Sequence, residues 1–319
     1  MENYGIIIKS KCPLYALASP ESEKESRGEG GKGQGAADEL LSGWLVRIAE
    51  PEKGQRVERL RVTTHYGYEG YINASCVRRF SASEGSGAIL REGSIRRINK
   101  DFADILGAPD VRAPIAATLC RNSFVELPRQ SDGGQSRAEQ NNGEQNGWSR
   151  VRCADGREGY IRSVHLSPRS DDDEFFLRGN LLWQRGLKRI TDRDKFRRRL
   201  AECAKSYMGA QYRWGGKSPE GVDCSGFVFL CYMENGVLIY RDAKLKQGYP
   251  MREIPRSRLK TGDLIYWEGH VAMYLGGGRY IHATGSSARA CVTVNSLDPE
   301  DGDYRADLAD SIAAFGSVF

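Results

Sequence analysis

Cys224 stands in the run Asp223-Cys224-Ser225-Gly226. A Gly-rich turn, Trp214-Gly215-Gly216, precedes it, and an apolar segment from Phe227 to Met233 follows, which Gly236 can close as a C-cap. The pattern predicts a helix with the thiol in its first turn, where unsatisfied N–H groups and the macrodipole favour an anion. Thiolate is the reactive form of cysteine, and helix N-termini are among the environments that lower a thiol pKa. The chain has eight cysteines, at 12, 76, 120, 153, 203, 224, 231 and 291. Cys203 and Cys231 fall on apolar stripes and read as core.

A thiol nucleophile also needs a base. Of the four histidines, His65 and His165 have no partner pattern and read as ordinary surface or strand residues. His270 and His282 bracket a predicted hairpin around Gly276-Gly277-Gly278. With those three glycines as the loop, Leu275 faces Arg279 and Ala272 faces His282, so His270 lies diagonally across from His282 on one face. A two-residue loop would put the rings on opposite faces. Two imidazoles on one face suit a base and the group that orients it. The same thiol and rings could instead hold zinc, although no fourth ligand stands at a typical spacing.

The elements that must position these groups form an α+β pattern over residues 192–319. Asp192 or Asp194 can cap a helix whose apolar positions Phe196, Leu200, Cys203, Ala204 and Tyr207 follow a 3.6-residue period, with Gly209 ending it. After the Cys224 helix the chain reads as strands: Leu264 to Trp267, Val271 to Leu275, Tyr280 to Ala283 and Cys291 to Val294. Helices first and a sheet afterwards mark an α+β domain.

The first half is organised by a repeat. Glu69-Gly70-Tyr71-Ile72 recurs as Glu158-Gly159-Tyr160-Ile161. Upstream of each lies Gly-Trp and a strand-like run, at Gly43-Trp44 and Gly147-Trp148, preceded by Pro13-Leu14-Tyr15-Ala16 and Ser123-Phe124-Val125-Glu126. Two copies of one small β-barrel are expected, over 1–80 and 113–168, with a connecting segment at 81–112 and a linker at 169–191. Asn99 to Leu106 could be a short helix. Polar insertions, Pro20 to Ala37 and Arg129 to Asn146, cannot bury enough apolar area to order themselves and are expected to be mobile loops.

Bulk composition narrows the function classes. The 319 residues carry a net charge of +5, and the densest basic stretch, Arg185 to Arg199, reads as a solvated linker and helix face. No concentrated basic face points to nucleic acid, and no window approaches the ~20 apolar residues that span a membrane. The N-terminus lacks a charged region followed by an apolar stretch, and the cysteines are scattered, so a reduced, cytoplasmic setting is expected.

The motifs carry a resemblance. Gln211-Tyr212-Arg213-Trp214-Gly215-Gly216, Asp223-Cys224-Ser225-Gly226-Phe227, Gly262-Asp263-Leu264, Gly269-His270-Val271 and Tyr280-Ile281-His282-Ala283 resemble the NlpC/P60 cysteine peptidases over about residues 195–319. The paired Gly-Tyr-Ile units resemble bacterial SH3 (SH3b) domains. Together they resemble the YkfC-type γ-D-glutamyl-L-diamino acid endopeptidases, which implies a papain-like catalytic domain preceded by two SH3-like β-barrels.

The resemblance implies Cys224 as nucleophile, His270 as base and His282 as the ring-orienting third member, with the Tyr212 hydroxyl beside the Cys224 amide at the oxyanion. Asp223 would receive the amine of an N-terminal L-alanine, and Ser225 and Trp214 would line the pocket around the γ-D-glutamyl unit. Arg241-Asp242 would help to hold the substrate, although Ala243 follows where members often carry serine. In the first SH3b domain, Glu69, Tyr68 and Tyr71 are candidates for closing the pocket, while the recurrence of Tyr71 and Tyr160 reads first as core packing. The lesser alternatives are that Asp223 is only an N-cap and Trp214 only a packed aromatic. The implied substrates are murein tri- and tetrapeptides, with no cofactor or metal. The alternatives are a peptidoglycan-binding module with an inactive peptidase domain and a muramoyl-alanine amidase or acyltransferase on the same scaffold.

Overall fold

The computed structural model describes residues 3–16, 35–49, 58–81, 95–128, 144–169, 187–286 and 288–319. The two insertions expected to be mobile fall largely outside the described residues, as does the acidic run Asp171 to Glu174. The chain divides into two compact units, Met1–Arg169 and Ser170–Phe319.

The described residues of the first unit form strands and short 3-10 turns. One five-stranded sheet runs, in spatial order, Glu69–Asn73, Arg59–Thr64, Leu45–Ile48, Asn3–Ile7 and Val77–Ser81, with a separate ladder of Lys11–Leu14 against Asp38–Leu41. A second sheet runs Ile115–Cys120, Phe102–Leu106, Glu158–Arg162, Trp148–Arg152, Phe124–Glu126, Ile95–Ile98 and Leu166–Pro168. The two sheets fit SH3b-like repeats, but among the described residues neither hydrogen-bonded path closes on itself, so the expected barrels are open sheets there.

Two sequence expectations give way here. Asn99 to Leu106 is not a helix: Phe102–Leu106 pairs antiparallel with Ile115–Cys120. Along it Ala103 and Ile105 are buried while Phe102 and Asp104 are exposed, the period of two that a half-buried strand requires. The segment 81–112 is therefore not only a connector, because Ile95–Ile98 and Phe102–Leu106 are strands of the second sheet.

Glu-Gly-Tyr-Ile is a structural repeat, whereas the two Gly-Trp elements are not equivalent. Each Glu-Gly-Tyr-Ile strand runs into a 3-10 turn, and a short strand then returns to pair with the first strand of its sheet. Trp148 lies on the strand adjoining Glu158–Arg162, while the strand that follows Trp44, Leu45–Ile48, lies one further away, across Arg59–Thr64. A Cβ on Gly70 would sit 2.2 Å from the Leu14 Cδ2 and 2.5 Å from the Tyr15 carbonyl oxygen, and one on Gly159 would sit 2.5 Å from the Leu106 carbonyl. Both glycines allow a neighbouring strand to cross closely, and both isoleucines are fully buried. Tyr71 and Tyr160 alternate away from that core and are half-buried, which corrects the core-packing reading. Glu69 is exposed and ion-paired with Arg61 at 3.1 Å.

His65 is likewise no surface residue. It is fully buried, edge-on to Trp44 and Tyr66, with ring centroids 5.0 Å from each. Trp44 donates from Nε1 to the Asn122 carbonyl at 2.8 Å, and the Phe124 amide donates to the Ser42 carbonyl at 2.8 Å, tying the two sheets together.

In the second unit α1 (Arg193–Lys205) is capped by Asp192, whose carboxylate accepts from the Lys195 amide at 2.9 Å. Phe196, Leu200 and Ala204 are buried, whereas Cys203 is only half-buried, its thiol donating to Glu234 at 3.4 Å. The helix ends before Gly209, and Tyr207 is buried beyond it, donating to Glu234 at 2.6 Å. α2 (Cys224–Glu234) is apolar all round and buried on every side, the composition of a central helix. A six-stranded antiparallel sheet covers it, built from β1 (Arg252–Ile254), β2 (Leu264–Trp267), β3 (His270–Gly276), β4 (Arg279–Ala283) and β5 (Val292–Ser296), then α3 (Ala306–Ala309) and β6 (Ala314–Ser317). The spatial order is β1-β6-β2-β3-β4-β5. Ile265, Ala272 and Tyr280 have no exposure, and burial of an isoleucine side chain contributes roughly 1.5–3 kcal/mol. Among the described residues no helix is long and apolar enough to cross a membrane.

Candidate active site

The site begins at the N-terminus of α2. Asp223 is the N-cap: its Oδ1 accepts from the Gly226 amide at 2.6 Å, and Cys224 and Ser225 follow in the first turn. A Cβ on Gly226 would lie 2.4 Å from the Gly216 carbonyl, so glycine there lets the Gly-rich turn pack directly on the helix start. The Cys224 Sγ lies 3.9 Å from the Gly269 carbonyl oxygen, and the Val271 amide also reaches it. The thiol thus faces the two peptide groups that flank His270 at the head of β3.

The hairpin loop differs from expectation, yet the outcome is the one expected of the rings. The loop is Gly277-Gly278, and a bulge at Leu275 absorbs the odd residue, so that Gly276 pairs with Arg279 while Met273 pairs with Ile281. The bulge restores the frame that a two-residue loop alone would have broken. The His270 Nε2 and His282 Nδ1 lie 2.7 Å apart. The His282 Nε2 meets the Asn295 Oδ1 at 3.0 Å, and the Asn295 Nδ2 donates to the Asp303 carbonyl at 2.6 Å. Asn295 was missed by sequence reasoning. Its one signal is a polar residue, poor in strand propensity, inside the apolar run Val292-Thr293-Val294-Asn295.

Aromatic rings from Trp267 and Tyr280 wall the two imidazoles, with centroids 5.5 Å from His270 and 5.2 Å from His282. That burial pushes His270 down to about 3, helped by His282 and Arg305. His282 falls to about 4, chiefly by burial, with the Asn295 hydrogen bond opposing. Both rings are neutral at neutral pH. Burial, then Asp223, pushes the Cys224 thiol up to about 11, against the lowering effect of the Val271 and Ser225 amides and of Arg241. Desolvation therefore opposes the thiolate expected at the helix start and outweighs the amides that favour it. The resting pair is thiol and neutral imidazole, and the imidazole must take the proton as attack proceeds.

Because the unfolded rings protonate near the ordinary 6.5, the unfolded chain binds more protons than the native one below that pH. Stability is fully present above it and falls as pH drops toward 4 and then 3. The slope is about 1.4 kcal/mol per pH unit for each proton. Urea midpoints measured between about pH 7 and about pH 5 should fall less steeply for His282→Gln than for the parent, by about one proton's worth. Parallel curves would contradict this assignment.

Asp223 is committed on all sides. Five donors reach its carboxylate: the Gly226 amide, Ser225 Oγ at 3.1 Å and Arg241 at 3.0 Å on Oδ1, and the Gly215 amide at 2.9 Å and Arg241 at 2.9 Å on Oδ2. Arg241 is itself buried and donates to Ser225 Oγ at 2.7 Å. Asp242, next in the chain, is half-buried. Tyr212 is drawn alongside by a parallel bridge to Val222, its ring lies over Gly285, and burial followed by the Cys224 and Asp223 charges raises its hydroxyl to about 12. Trp214 is 70% exposed, a projecting ring and not a packed one. Cys224, Tyr212, Asp223, Ser225 and Arg241 thus gather around one helix start. His270 and His282 pair on β3 and β4 behind it. Glu69 and Tyr71 belong to the first unit. Among the described residues no group of three His, Cys, Asp or Glu is gathered to hold a metal.

The NlpC/P60 family model matches residues 209–300, the stretch that contains Cys224, His270 and His282. Dipeptidyl-peptidase 6 of Lysinibacillus sphaericus is 35% identical over 99% of this chain and 99% of its own. Gamma-D-glutamyl-L-lysine dipeptidyl-peptidase of Bacillus subtilis is 40% identical over 91 residues, covering 25% of this chain and 30% of its own. The crystal structure of an NlpC/P60 family protein from Bacillus cereus has the same fold over 98% of both chains, with a TM-score of 0.67 at 18% identity.

Proposed function

This chain belongs to the NlpC/P60 peptidase family, and from that premise we propose that it is a cysteine peptidase hydrolysing the γ-D-glutamyl-L-diamino acid bond of murein peptides that carry a free N-terminal L-alanine. The observation that carries the reading is the thiol at the start of α2, set against the head of β3, with the chain of His270, His282 and Asn295 behind it. The dipeptidyl-peptidase names of the two relatives support release of an N-terminal dipeptide.

In the proposed reaction the Cys224 sulfur bonds to the γ-carbonyl carbon as its proton passes to His270. The C–N bond then breaks, and the imidazolium protonates the leaving amine of the diamino acid. Water, deprotonated by His270, adds to the thioester, releasing L-Ala-γ-D-Glu and restoring the thiol. The Cys224 amide donates no hydrogen bond among the described residues, and with the Tyr212 hydroxyl it supplies donors for the tetrahedral oxyanion.

The amine of L-alanine needs a carboxylate partner. The five donors on Asp223 disfavour the role first expected of it, since a carboxylate offers about four lone-pair sites. Asp223 instead holds Arg241 and Ser225 in place, and Asp242, next to Arg241 in the chain and hydrogen-bonded with Tyr240, is proposed as the acid that meets the amine. Trp214 is proposed as a platform for the peptide. The proposed setting is the cytoplasm, on recycled wall peptides.

Mass spectrometry of L-Ala-γ-D-Glu-L-diamino acid digests is the test. The free peptide should yield the dipeptide, and its N-acetylated form should react at least about 100-fold more slowly, because acetylation removes the ammonium charge and the donors that a carboxylate would meet. Equal rates would remove the amine recognition. Release of alanine alone would mean that a different bond is cut.

A further inference from the structure

We propose that Asn295 is a positioning residue that fixes the protons of both imidazoles, and so leaves the His270 Nδ1 as the one unprotonated nitrogen offered to the thiol. The inference rests on the cysteine-peptidase reading and adds to it a residue outside the Cys/His/His set.

The protons are ordered along one hydrogen-bonded chain. The Asp303 carbonyl can only accept, so the Asn295 side-chain nitrogen must face it, at 2.6 Å. That turns the Asn295 oxygen, which can only accept, toward the His282 Nε2 at 3.0 Å. The His282 Nε2 must then carry the proton, and in a neutral ring this makes its Nδ1 a lone pair. The lone pair meets the His270 Nε2 at 2.7 Å, which must therefore be an N–H. One nitrogen is left on His270, Nδ1, and it is basic. The opposite polarity would set the lone pair of the His282 Nε2 against the Asn295 oxygen. When His270 accepts the thiol proton at Nδ1, its Nε2–H still donates to His282, so the cation forms without any rearrangement of the chain.

The anchor is itself held. Asn295 lies on β5 opposite Tyr280, and Thr293 lies opposite His282, so Asn295 is the diagonal neighbour of His282 on one face of the sheet. The segment that supplies the Asp303 carbonyl is pinned from β4, where Arg279 bonds to Asp301 at 3.3 Å and also to the Asp303 carboxylate. The groups that bear on the two rings are Trp267 on β2, Tyr280 on β4, Asn295 on β5, and Arg305 with Asp307 at α3.

The full chain, labelled with 15N-histidine, gives only four imidazoles to resolve. Long-range 1H–15N spectra at neutral pH should show both His270 and His282 protonated at Nε2. In Asn295→Leu the two rings should lose that single form. Its kcat on the L-Ala-γ-D-Glu peptide should fall about 10- to 100-fold with KM within about threefold. Asn295→Asp keeps the acceptor, so it should retain the Nε2–H forms, recover most of kcat and move the acid limb of the pH–rate profile upward. A proton on the His270 Nδ1 of the parent would overturn the proposal, as would Asn295→Leu spectra and kcat equal to the parent's. The spectra need no turnover, so a parent that fails to cleave the peptide counts against the peptidase reading alone, and the proton positions are still read directly.

Discussion

Cys224→Ala is expected to lower turnover of the L-Ala-γ-D-Glu peptide by at least about 1,000-fold while leaving the melting temperature within a degree or two. The size follows from the role: removing the nucleophile forfeits the covalent route, and only binding and oxyanion stabilisation remain. The small stability effect follows from the setting. The side chain is nearly buried, but its sulfur makes one long contact, to the Gly269 carbonyl at 3.9 Å, alongside the Val271 and Ser225 amides. Cys224→Ser is the sharper control, because it keeps the shape and replaces the thiol with a weaker nucleophile. It too should be inactive. Iodoacetamide should label the parent's Cys224 slowly at neutral pH and faster toward the thiol's value of about 11. Activity retained in Cys224→Ala, measured by product mass, would move the chemistry to another residue.

The second large effect is on stability. Arg241→Met should cost about 3–5 kcal/mol, since it strands the Asp223 carboxylate and the Ser225 hydroxyl in a site where the arginine side chain is 1% exposed and the aspartate 10%. At about 2–4 °C per kcal/mol, this is a fall in Tm on the order of 10 °C. Asp223→Asn keeps an N-cap for α2 but leaves the guanidinium uncompensated, and it should also be costly. The double variant removes both charges together and should recover much of the loss, so the cycle should give a coupling of at least about 2 kcal/mol. Calorimetry of the four proteins measures it. Additive losses would mean that the pair does not act as a unit.

This pair shows where sequence reasoning stopped. Asp223 could be recognised as a cap and a polar neighbour of the thiol. Arg241, 18 residues on, could be placed beside it only by resemblance. Finding five donors on one carboxylate requires knowing where the Gly215 amide, the Ser225 hydroxyl and the guanidinium end up, and that knowledge changes the role. The same holds for the thiol. A cysteine at a helix start predicts a stabilised thiolate, and the local inference is sound, but burial by β3 and its neighbours outweighs it.

What the residues by themselves determined was the local grammar. The α2 helix and its cap and the β2, β3 and β4 strands follow from short-range periodicity and turn chemistry, as does the repeat of Glu-Gly-Tyr-Ile. Tertiary structure decided whatever depends on which distant backbone lies alongside. The Leu275 bulge that keeps the histidine frame despite a two-residue loop belongs here, as does Asn295 behind His282. So do the strand at Phe102–Leu106 in place of a helix and the sheets that stay open. The physical reason is common to all of them: propensity and period act within a few residues, whereas register, desolvation and hydrogen-bond partners across a sheet are set by segments that the local pattern does not name.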